Sequence, residues 1–397
     1  MQSAQPKFSV AIACGGTGGH LFPGMAVAEE LLLRRCAVTL LVSPKEVDQQ
    51  AVRNAIGMSV VTLPAVALTW SQFGAFARGS WKSFRAARSL FKERPPQAVL
   101  AMGGFTSAPP VLAGKLCGAA TFLHDSNSVP GRANRWIARW VDQAFVGFPQ
   151  AAARLHAQSV EVTGTPVRPQ FQPGSVESAR MALGLDAKRP VLLIVGGSQG
   201  ARGVNEAALG ALPLLKQTVP ELQYLHLTGP SDFEKVRAAY QAENVRAVVR
   251  PFLTEMELAM DAATVAVSRA GASALAEIAA MQLPSILVPY PVAADNHQFH
   301  NARAFVETGA ARMLVQKEAA PKLFSEMVVD LIRDRARRDE MKRALARWHQ
   351  PGVAARIAEA ILRSRPNFQP APQRPAGRPR DAVLPTRCRQ HTAIKAG

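Results

Sequence analysis

Two glycine turns in the chain have the make-up of phosphate cradles. Near the start, Phe8-Ser9-Val10-Ala11-Ile12-Ala13 reads as a buried strand, breaks into Gly15-Gly16-Thr17-Gly18-Gly19-His20, and continues at once into a helical run from Phe22 to Leu33. In the middle of the chain Val191–Val195 runs into Gly196-Gly197-Ser198-Gln199-Gly200-Ala201-Arg202. A glycine turn between strand and helix offers backbone N–H groups and the positive end of a helix dipole, which together suit an anion. The first turn lacks the G-x-G-x-x-G spacing, and the second strand ends in Leu41-Val42-Ser43-Pro44 with no acidic residue, which disfavours a dinucleotide. His20 lies on the first turn of the helix. Imidazole titrates near neutral pH, so His20 is the first choice for a general base.

Three further stretches carry chemistry. His124-Asp125-Ser126-Asn127-Ser128-Val129-Pro130-Gly131 places an imidazole, a carboxylate and an amide within four positions, and Asp125 is the second choice for acid–base work. In Ser268-Arg269-Ala270-Gly271-Ala272-Ser273-Ala274-Leu275-Ala276-Glu277 small residues let a ligand approach the backbone, and the Glu277 carboxylate suits ribose hydroxyls. Asp295-Asn296-His297-Gln298-Phe299-His300-Asn301 follows Pro289-Tyr290-Pro291 and groups amides and imidazoles suited to a sugar. Gly103-Gly104-Phe105-Thr106-Ser107 adds another loop after a strand. No His or carboxylate pair has ligand spacing, so neither a metal nor another cofactor is expected. Phosphate charge then falls to backbone N–H groups, Ser198, and Arg168 or Arg202.

The elements that must hold these loops are apolar runs of strand length alternating with helical patterns. Val38–Val42, Ala98–Ala101 and Ala144–Gly147 serve the first half, with an apolar stretch Ala120–Leu123 before the His124 loop, and Val191–Val195, Gln223–Leu227, Ala247–Val249, Val265–Ser268 and Ser285–Val288 serve the second. Continuous apolar runs mark parallel strands covered on both faces, and the alternation gives an α/β protein with two doubly wound, Rossmann-like domains facing a cleft. Thr163-Gly164-Thr165-Pro166 suits a hinge. The expected division is residues 1–164 for a first domain, 165–362 for a second and 363–397 for a tail. A helical run from about Leu345 to Leu362 follows the last strand and is free to return to the first domain.

The 397 residues are 48 % hydrophobic and 19 % charged, with a net charge of +18. From Arg363 onward eight Lys/Arg face a single Asp381 in a Pro-rich, apolar-poor stretch, the composition of a disordered tail. The remaining body is still basic and fits anionic partners. Cys14, Cys36, Cys117 and Cys388 have no ligand-like spacing and read as single thiols. The N-terminus lacks the apolar stretch of a secretory signal, and no run of about 18 apolar residues spans a membrane.

Gly15–His20, His124–Gly131, Gly164–Arg168, Gly196–Arg202, Gly271–Glu277 and Asp295–Asn301 occur in the order and at the spacings of the MurG family, and the chain resembles it from about Phe8 to Leu362. The resemblance implies the GT-B fold. It implies transfer of GlcNAc from UDP-GlcNAc to the C4 hydroxyl of MurNAc in undecaprenyl-pyrophosphoryl-MurNAc-pentapeptide (lipid I), with inversion and without a metal, giving lipid II for peptidoglycan. By the same resemblance Leu253 meets uracil through its backbone, Glu277 binds ribose, and Ala272, Ser273, Ala274, Leu275 and Ala276 cradle the nucleotide. Ser198 contacts phosphate with Arg168 beside it, Gln298 and Asn127 reach the sugar, and Thr17, Gly18 and Gly19 complete the site. The chain departs from the family at Asp125-Ser126, where Glu-Gln is usual, at Phe105 for Tyr, at Thr165 for Asn and at His297 for Gln.

A last stretch concerns the surface. From Trp70 to Lys92 helical periodicity puts Phe73, Phe76, Ala77, Phe84, Ala87 and Phe91 on one face, with Arg78, Lys82, Arg85 and Lys92 on the flank and opposite side and Trp81 between. Such a helix fits either an anionic bilayer or a core with a solvated basic side. With a polyprenyl-linked acceptor, the expected location is peripheral, on the cytoplasmic side of the inner membrane. Rival readings are another GT-B enzyme, such as a diacylglycerol glycosyltransferase or a UDP-GlcNAc epimerase, and a basic nucleic-acid-binding protein. The last leaves both glycine turns unexplained, and no nucleic acid is expected.

Overall fold

The computed structural model describes residues 8–16, 18–45, 48–49, 52–64, 73–104, 106–197 and 199–364. The expectations at Thr17, Trp70, Phe105, Ser198 and the tail beyond residue 364 lie outside the described residues, as does the side chain of Phe73.

The first part of the chain runs β1 (Ser9–Ala13), α1 (Gly18–Leu33), β2 (Ala37–Val42), β3 (Ser59–Thr62), α2 (Phe73–Glu93), β4 (Ala98–Ala101), α3 (Ala108–Leu116), β5 (Ala120–Asp125), α4 (Arg132–Ile137), β6 (Gln143–Val146), α5 (Pro149–Ala152) and β7 (Val160–Val162). Its strands form a seven-stranded sheet in the order β3-β2-β1-β4-β5-β6-β7. Then come α6 (Val176–Ala182), β8 (Val191–Val195), α7 (Arg202–Thr218), β9 (Gln223–Leu227), α8 (Phe233–Ala242), β10 (Ala247–Arg250), α9 (Met256–Ala262), β11 (Val265–Ser268), α10 (Ala272–Ala280), β12 (Ser285–Leu287), α11 (His297–Glu307), β13 (Arg312–Met313), α12 (Pro321–Arg333), α13 (Arg335–Trp348) and α14 (Val353–Arg363). The second sheet has six strands in the order β10-β9-β8-β11-β12-β13. All pairings in both sheets are parallel.

The strand order reverses between β1 and β4 in one sheet and between β8 and β11 in the other. Loops leaving neighbouring strands diverge there and open a crevice at the carboxyl edge. Ala13 lies beside Ala101, and Ser268 beside Val195, so each glycine turn starts at a crevice. The continuous apolar runs are the central strands, buried on both faces: Ile12, Leu40, Leu100, Leu123, Leu192 and Val267 are all shielded from solvent. The strands not named as candidates from the sequence are β5, noted there only as an apolar stretch, and β3, β7 and β13, the last three outermost in their sheets. One side of an edge strand faces water, so β3 and β7 carry exposed residues in place of an apolar run.

Two corrections concern helices. The run expected from Leu345 to Leu362 is two helices, because Pro351 and a left-handed Gly352 (φ 69°) end one and start the next. On α2, Ala77 is exposed although it shares the apolar stripe, while Ala87 and Phe91 enter the core beneath.

After Pro351 the chain has crossed back. Val353, Ala354, Ile357, Ala358, Ile361 and Leu362 form an i, i+4 stripe on α14 and share one core with Leu21, Val27 and Leu31 of α1. Both crossings between the sheets run side by side: Gly164 has φ 87°, and a Cβ on it would stand 3.1 Å from that of Gln350. Beside them Phe148, Phe305 and Trp348 pack together, with Phe305 stacked on Trp348 at 4.4 Å.

Because α14 joins two parts of the chain through one apolar stripe, Ile357→Ala is expected to cost about 2–5 kcal/mol. Urea unfolding reads it as a lower midpoint; an unchanged midpoint contradicts the bracing role of α14.

Candidate active site

The first glycine turn is shaped by close backbone approach. A Cβ on Gly15 would overlap the backbone nitrogen of Ser43, and Gly16 has φ 121°. Buried Asp48 organises the turn from below: its Oδ2 accepts from Gly16 N (2.6 Å), Ser43 N (3.2 Å) and Ser43 Oγ (2.5 Å). Lys45 Nζ and Thr106 Oγ1 donate to the carbonyls of Gly16 and Gly15, at 2.8 and 2.5 Å. Gly18 and Gly19 then open α1, whose first turn holds no acidic residue.

His20 projects from that turn onto the loop after β4. Cβ atoms on Gly103 and Gly104 would stand 3.1 and 3.3 Å from its ring, and both glycines have positive φ, 104° and 80°. The imidazole therefore lies against bare peptide, and its buried Nδ1 has no hydrogen-bond partner. Burial lowers the His20 pKa, opposed in part by the charge of Asp125 and by the Met102 carbonyl. Burial thus favours the neutral form of the ring.

Asp125 ends β5 and is fully engaged. Oδ1 accepts from Asn127 N at 2.9 Å, and Oδ2 accepts from Gly131 N at 3.1 Å and Asn134 Nδ2 at 2.7 Å. It is 1 % exposed. These three donors fold the loop back on itself and start α4, work that a shorter carboxylate can do. His124 is buried too, with Nε2 2.9 Å from the Gly164 carbonyl, so it ties β5 to the hinge.

In the second half, α7 and α10 start at Ala201 and Gly271 without a side-chain cap and without an acidic residue in their first turns. The N–H groups of Arg202, Gly203, Ala272 and Ser273 lie ahead of the first intrahelical bonds and have no intrahelical acceptor. Gly200 has φ 75° and packs against the Thr228 carbonyl so tightly that a Cβ would overlap it. Asn205 holds this contact: its Nδ2 donates to Thr228 O (2.9 Å) and Asp232 Oδ2 (2.8 Å), and its Oδ1 accepts from His226 Nε2 at 3.0 Å. Tyr240 Oη then donates to His226 Nδ1 (3.1 Å), and burial lowers that imidazole's pKa to about 3, so it stays neutral. Arg269 is buried and donates to the carbonyls of Val288 and Pro289 and to Gln316 Oε1. It fixes the loop after β11 against the loop after β12.

Leu253 is half-buried beyond β10, and Glu277 lies on α10. Burial pushes the Glu277 pKa up to about 7; the Arg168 guanidinium works against the rise and Glu257 adds to it. Arg168 itself lies at the hinge between the rings of Phe22 and Phe171, at 4.8 and 5.0 Å. Gln298 Oε1 accepts from Tyr290 N at 2.9 Å, which orients its amide at the start of α11.

The two halves touch across the cleft through polar groups. Pro23 lies inside α1 and has no N–H for the carbonyl four residues back, which is Gly19. That free carbonyl accepts from Ser273 Oγ at 2.7 Å, on the first turn of α10. Asn301 Oδ1 accepts from Ser128 N and Oγ, both 2.9 Å, while its Nδ2 donates to Asn127 Oδ1 at 3.1 Å. Arg132 and Arg135 both pair with Asp295. The cleft thus brings together Gly18, Gly19, His20, Asn127, Ala272, Ser273 and the start of α11. Asn134, Asp48, Asn205 and Arg269 were not assigned roles from sequence, and Asn301 entered only as one amide of the 295–301 group, not as a contact across the cleft. Only Asn301 had a usable signal there: it follows Gln298 by three positions, on the same side of a helix.

Two parallel sheets, crevices facing one another and uncapped helix starts lining both are the build of a two-domain enzyme acting on sugar nucleotides. Models of the glycosyltransferase family 28 N-terminal and C-terminal domains match residues 10–146 and 191–357. A Chlorobaculum tepidum protein named UDP-N-acetylglucosamine–N-acetylmuramyl-(pentapeptide) pyrophosphoryl-undecaprenol N-acetylglucosamine transferase is 35 % identical over 369 residues, 89 % of this chain and 98 % of its own. A protein of the same name from Syntrophus aciditrophicus is 36 % identical over 330 residues, 80 % of this chain and 88 % of its own. The crystal structure of Acinetobacter baumannii MurG superposes with a TM-score of 0.71 at 27 % identity, covering 90 % of this chain and 100 % of that one. The chain belongs to the MurG family of glycosyltransferases, within glycosyltransferase family 28.

The raised Glu277 pKa makes a signed expectation. Between about pH 4.5 and 7 the folded chain holds this proton more tightly than the unfolded one, so the group's contribution to stability falls as pH rises through that window. Glu277→Gln removes the dependence. The stability of the variant relative to the parent, from urea unfolding, is expected to increase from pH 5 to pH 8; a constant difference contradicts the burial of this carboxyl.

Proposed function

We propose that the chain transfers GlcNAc from UDP-GlcNAc to the C4 hydroxyl of MurNAc in undecaprenyl-pyrophosphoryl-MurNAc-pentapeptide, yielding lipid II in a single inverting displacement that needs no metal. The observation that carries this reading is the pair of uncapped helix starts, α7 and α10, set against the glycine start of α1 across one cleft. A leaving diphosphate meets unpartnered N–H groups and three helix dipoles there, which lowers the energy of the charge as it develops.

In this reading UDP occupies the second half. Leu253 takes uracil through its backbone, Glu277 accepts from ribose hydroxyls, and Ala272 to Ala276 border the nucleotide. Ser198 and the Gly196–Gly200 turn hold phosphate, with Arg168 acting on Glu277 from the hinge. Gln298 and Asn127 hold the sugar from opposite sides of the cleft. Thr17, Gly18 and Gly19 face the acceptor and its pyrophosphate. His20 takes the proton from the acceptor hydroxyl as that oxygen bonds to the anomeric carbon and the bond to diphosphate breaks. Asp125 is assigned as a positioning carboxylate, not the base, because its oxygens already accept three hydrogen bonds; its charge supports the basicity of His20.

The acceptor's lipid places the first half on the membrane. Among the described residues no helix is long and apolar enough to cross a bilayer. The surface of that half instead exposes Trp81 on α2, Leu116 on α3, and Trp136 and Trp140 at and after α4, at 60, 67, 47 and 47 %. Lys82, Arg85, Lys115 and Arg139 surround them, and Lys115 Nζ donates to the Trp140 carbonyl. Interfacial aromatics with basic neighbours suit an anionic bilayer, on the cytoplasmic side of the inner membrane.

His20→Ala is expected to lower kcat by about 10²–10⁴-fold while UDP still binds with its normal Kd. Near-normal turnover removes His20 from the base role. In flotation assays the chain is expected to follow phosphatidylglycerol vesicles at low salt and to leave them at high salt; no association at low salt refutes the membrane face.

A further inference from the structure

The helix α4 and the turn after it sort their side chains in two. Asn134, Ile137 and Ala138 are buried, whereas Arg132, Arg135, Trp136, Arg139 and Trp140 are exposed. On the exposed side Arg132 donates from Nε and Nη2 to Asp295 Oδ1, at 3.1 and 2.8 Å, and Arg135 Nη2 donates to Oδ2 at 3.1 Å. Asp295 belongs to the other half of the cleft, two residues before α11, which carries Gln298 and Asn301. The ion pair therefore links α4 in one half to the loop before α11 in the other.

Asp295 and Asn296 both have left-handed backbones, φ 50° and 52°, although neither is glycine. Two such residues in succession hold a loop in a conformation the free chain avoids, and partners must secure it. The Arg132 hydrogen bond and charge keep the Asp295 carboxyl below the usual carboxylate range. Yet the arginine side chains remain 75 and 43 % exposed, and Arg132 Nη1 and Arg135 Nε have no hydrogen-bond acceptor among the described residues. An exposed ion pair of this kind is worth no more than about fivefold in an equilibrium constant.

We propose that Arg132 and Arg135 form a binding site for the phosphate of an anionic phospholipid, and that Asp295 fills this site while the protein is off the membrane. A phosphate offers the same two-oxygen edge to a guanidinium as a carboxylate does. Trp136 and Trp140, tilted against each other at 6.4 Å, lie within one to two turns of the arginines and bring them to headgroup depth when they insert. The phosphate takes the guanidinium donors, Asp295 is released, and the 293–297 loop leaves its left-handed conformation. The donor side of the cleft then loosens at the bilayer, where the lipid-linked acceptor enters. This inference rests on the membrane-facing reading of α2–α4 given above.

Competition for one pair of arginines is reciprocal: what the latch costs the lipid, the lipid costs the latch. Cosedimentation with phosphatidylglycerol–phosphatidylcholine vesicles tests it on the full chain. Asp295→Asn keeps a residue that tolerates the left-handed backbone but removes the carboxylate charge. It is expected to bind the vesicles about threefold more tightly than the parent, with a urea midpoint lowered by no more than the loss of one exposed ion pair. The double variant Arg132→Gln/Arg135→Gln is expected to bind more weakly, and adding Asp295→Asn to it changes nothing further. Hydrogen exchange at amides 293–297 is expected to rise when anionic vesicles are added to the parent, and to be high without vesicles in Asp295→Asn. Equal vesicle affinities for the parent and Asp295→Asn overturn the latch and leave the membrane face standing. Absence of binding by either overturns both. If inorganic pyrophosphate alone speeds exchange at 293–297 as much as vesicles do, the lipid assignment is wrong.

Discussion

Parallel strands impose one constraint on this molecule from which the rest follows. Every helix that comes after a strand starts at the same edge of its sheet, so its unsatisfied N–H groups collect there. With two such sheets set edge to edge, the starts of α1, α7 and α10 look into one cleft. None of the three carries an acidic residue in its first turn, and α7 and α10 have no side-chain cap. A concentration of positive dipole ends left open in this way fits a ligand with several negative charges. The glycines at 15, 16, 103 and 200 serve the same end, because each lets backbone come closer than a Cβ permits or adopts a positive φ.

The halves are joined by a chain of small polar contacts and one apolar brace. Pro23 takes a donor away from the Gly19 carbonyl, and Ser273 supplies it from the other domain. Asn301 accepts and donates across the same gap. Each contact is worth about 0.5–1.5 kcal/mol net. By contrast the stripe on α14 buries six apolar residues against the first domain and makes a permanent tether. The aromatic group of Phe148, Phe305 and Trp348 sits where both crossings pass.

Much of this was legible in the sequence for identifiable reasons. Central strands such as Val191–Val195 are apolar throughout because both faces are covered, and the turns after them announce themselves with glycine. The edge strands Ser59–Thr62 and Val160–Val162 were not legible, since one open side allows polar and exposed residues. Pro351-Gly352 does carry a visible break, yet helical periodicity on either side masks it. Of the site, the positions on glycine loops were readable, because the local spacing limits what they can do. What a side chain meets across the cleft was not. Asn301 lies 173 residues from Ser128, and Arg132 lies 163 residues from Asp295. Asp125 shows the same limit: beside a histidine it resembles an acid–base partner, while folded it is consumed by Asn127, Gly131 and Asn134.

The central claim is that one cleft carries both substrates through a single displacement, with helix starts stabilising the departing diphosphate. Purified chain given UDP-GlcNAc and a lipid I analogue tests this most directly, with the product's glycosidic configuration read by NMR and released UDP counted. The account requires one UDP per disaccharide-linked lipid and an inverted anomeric centre. A retained configuration, or release of UDP with no transfer to the acceptor, contradicts it.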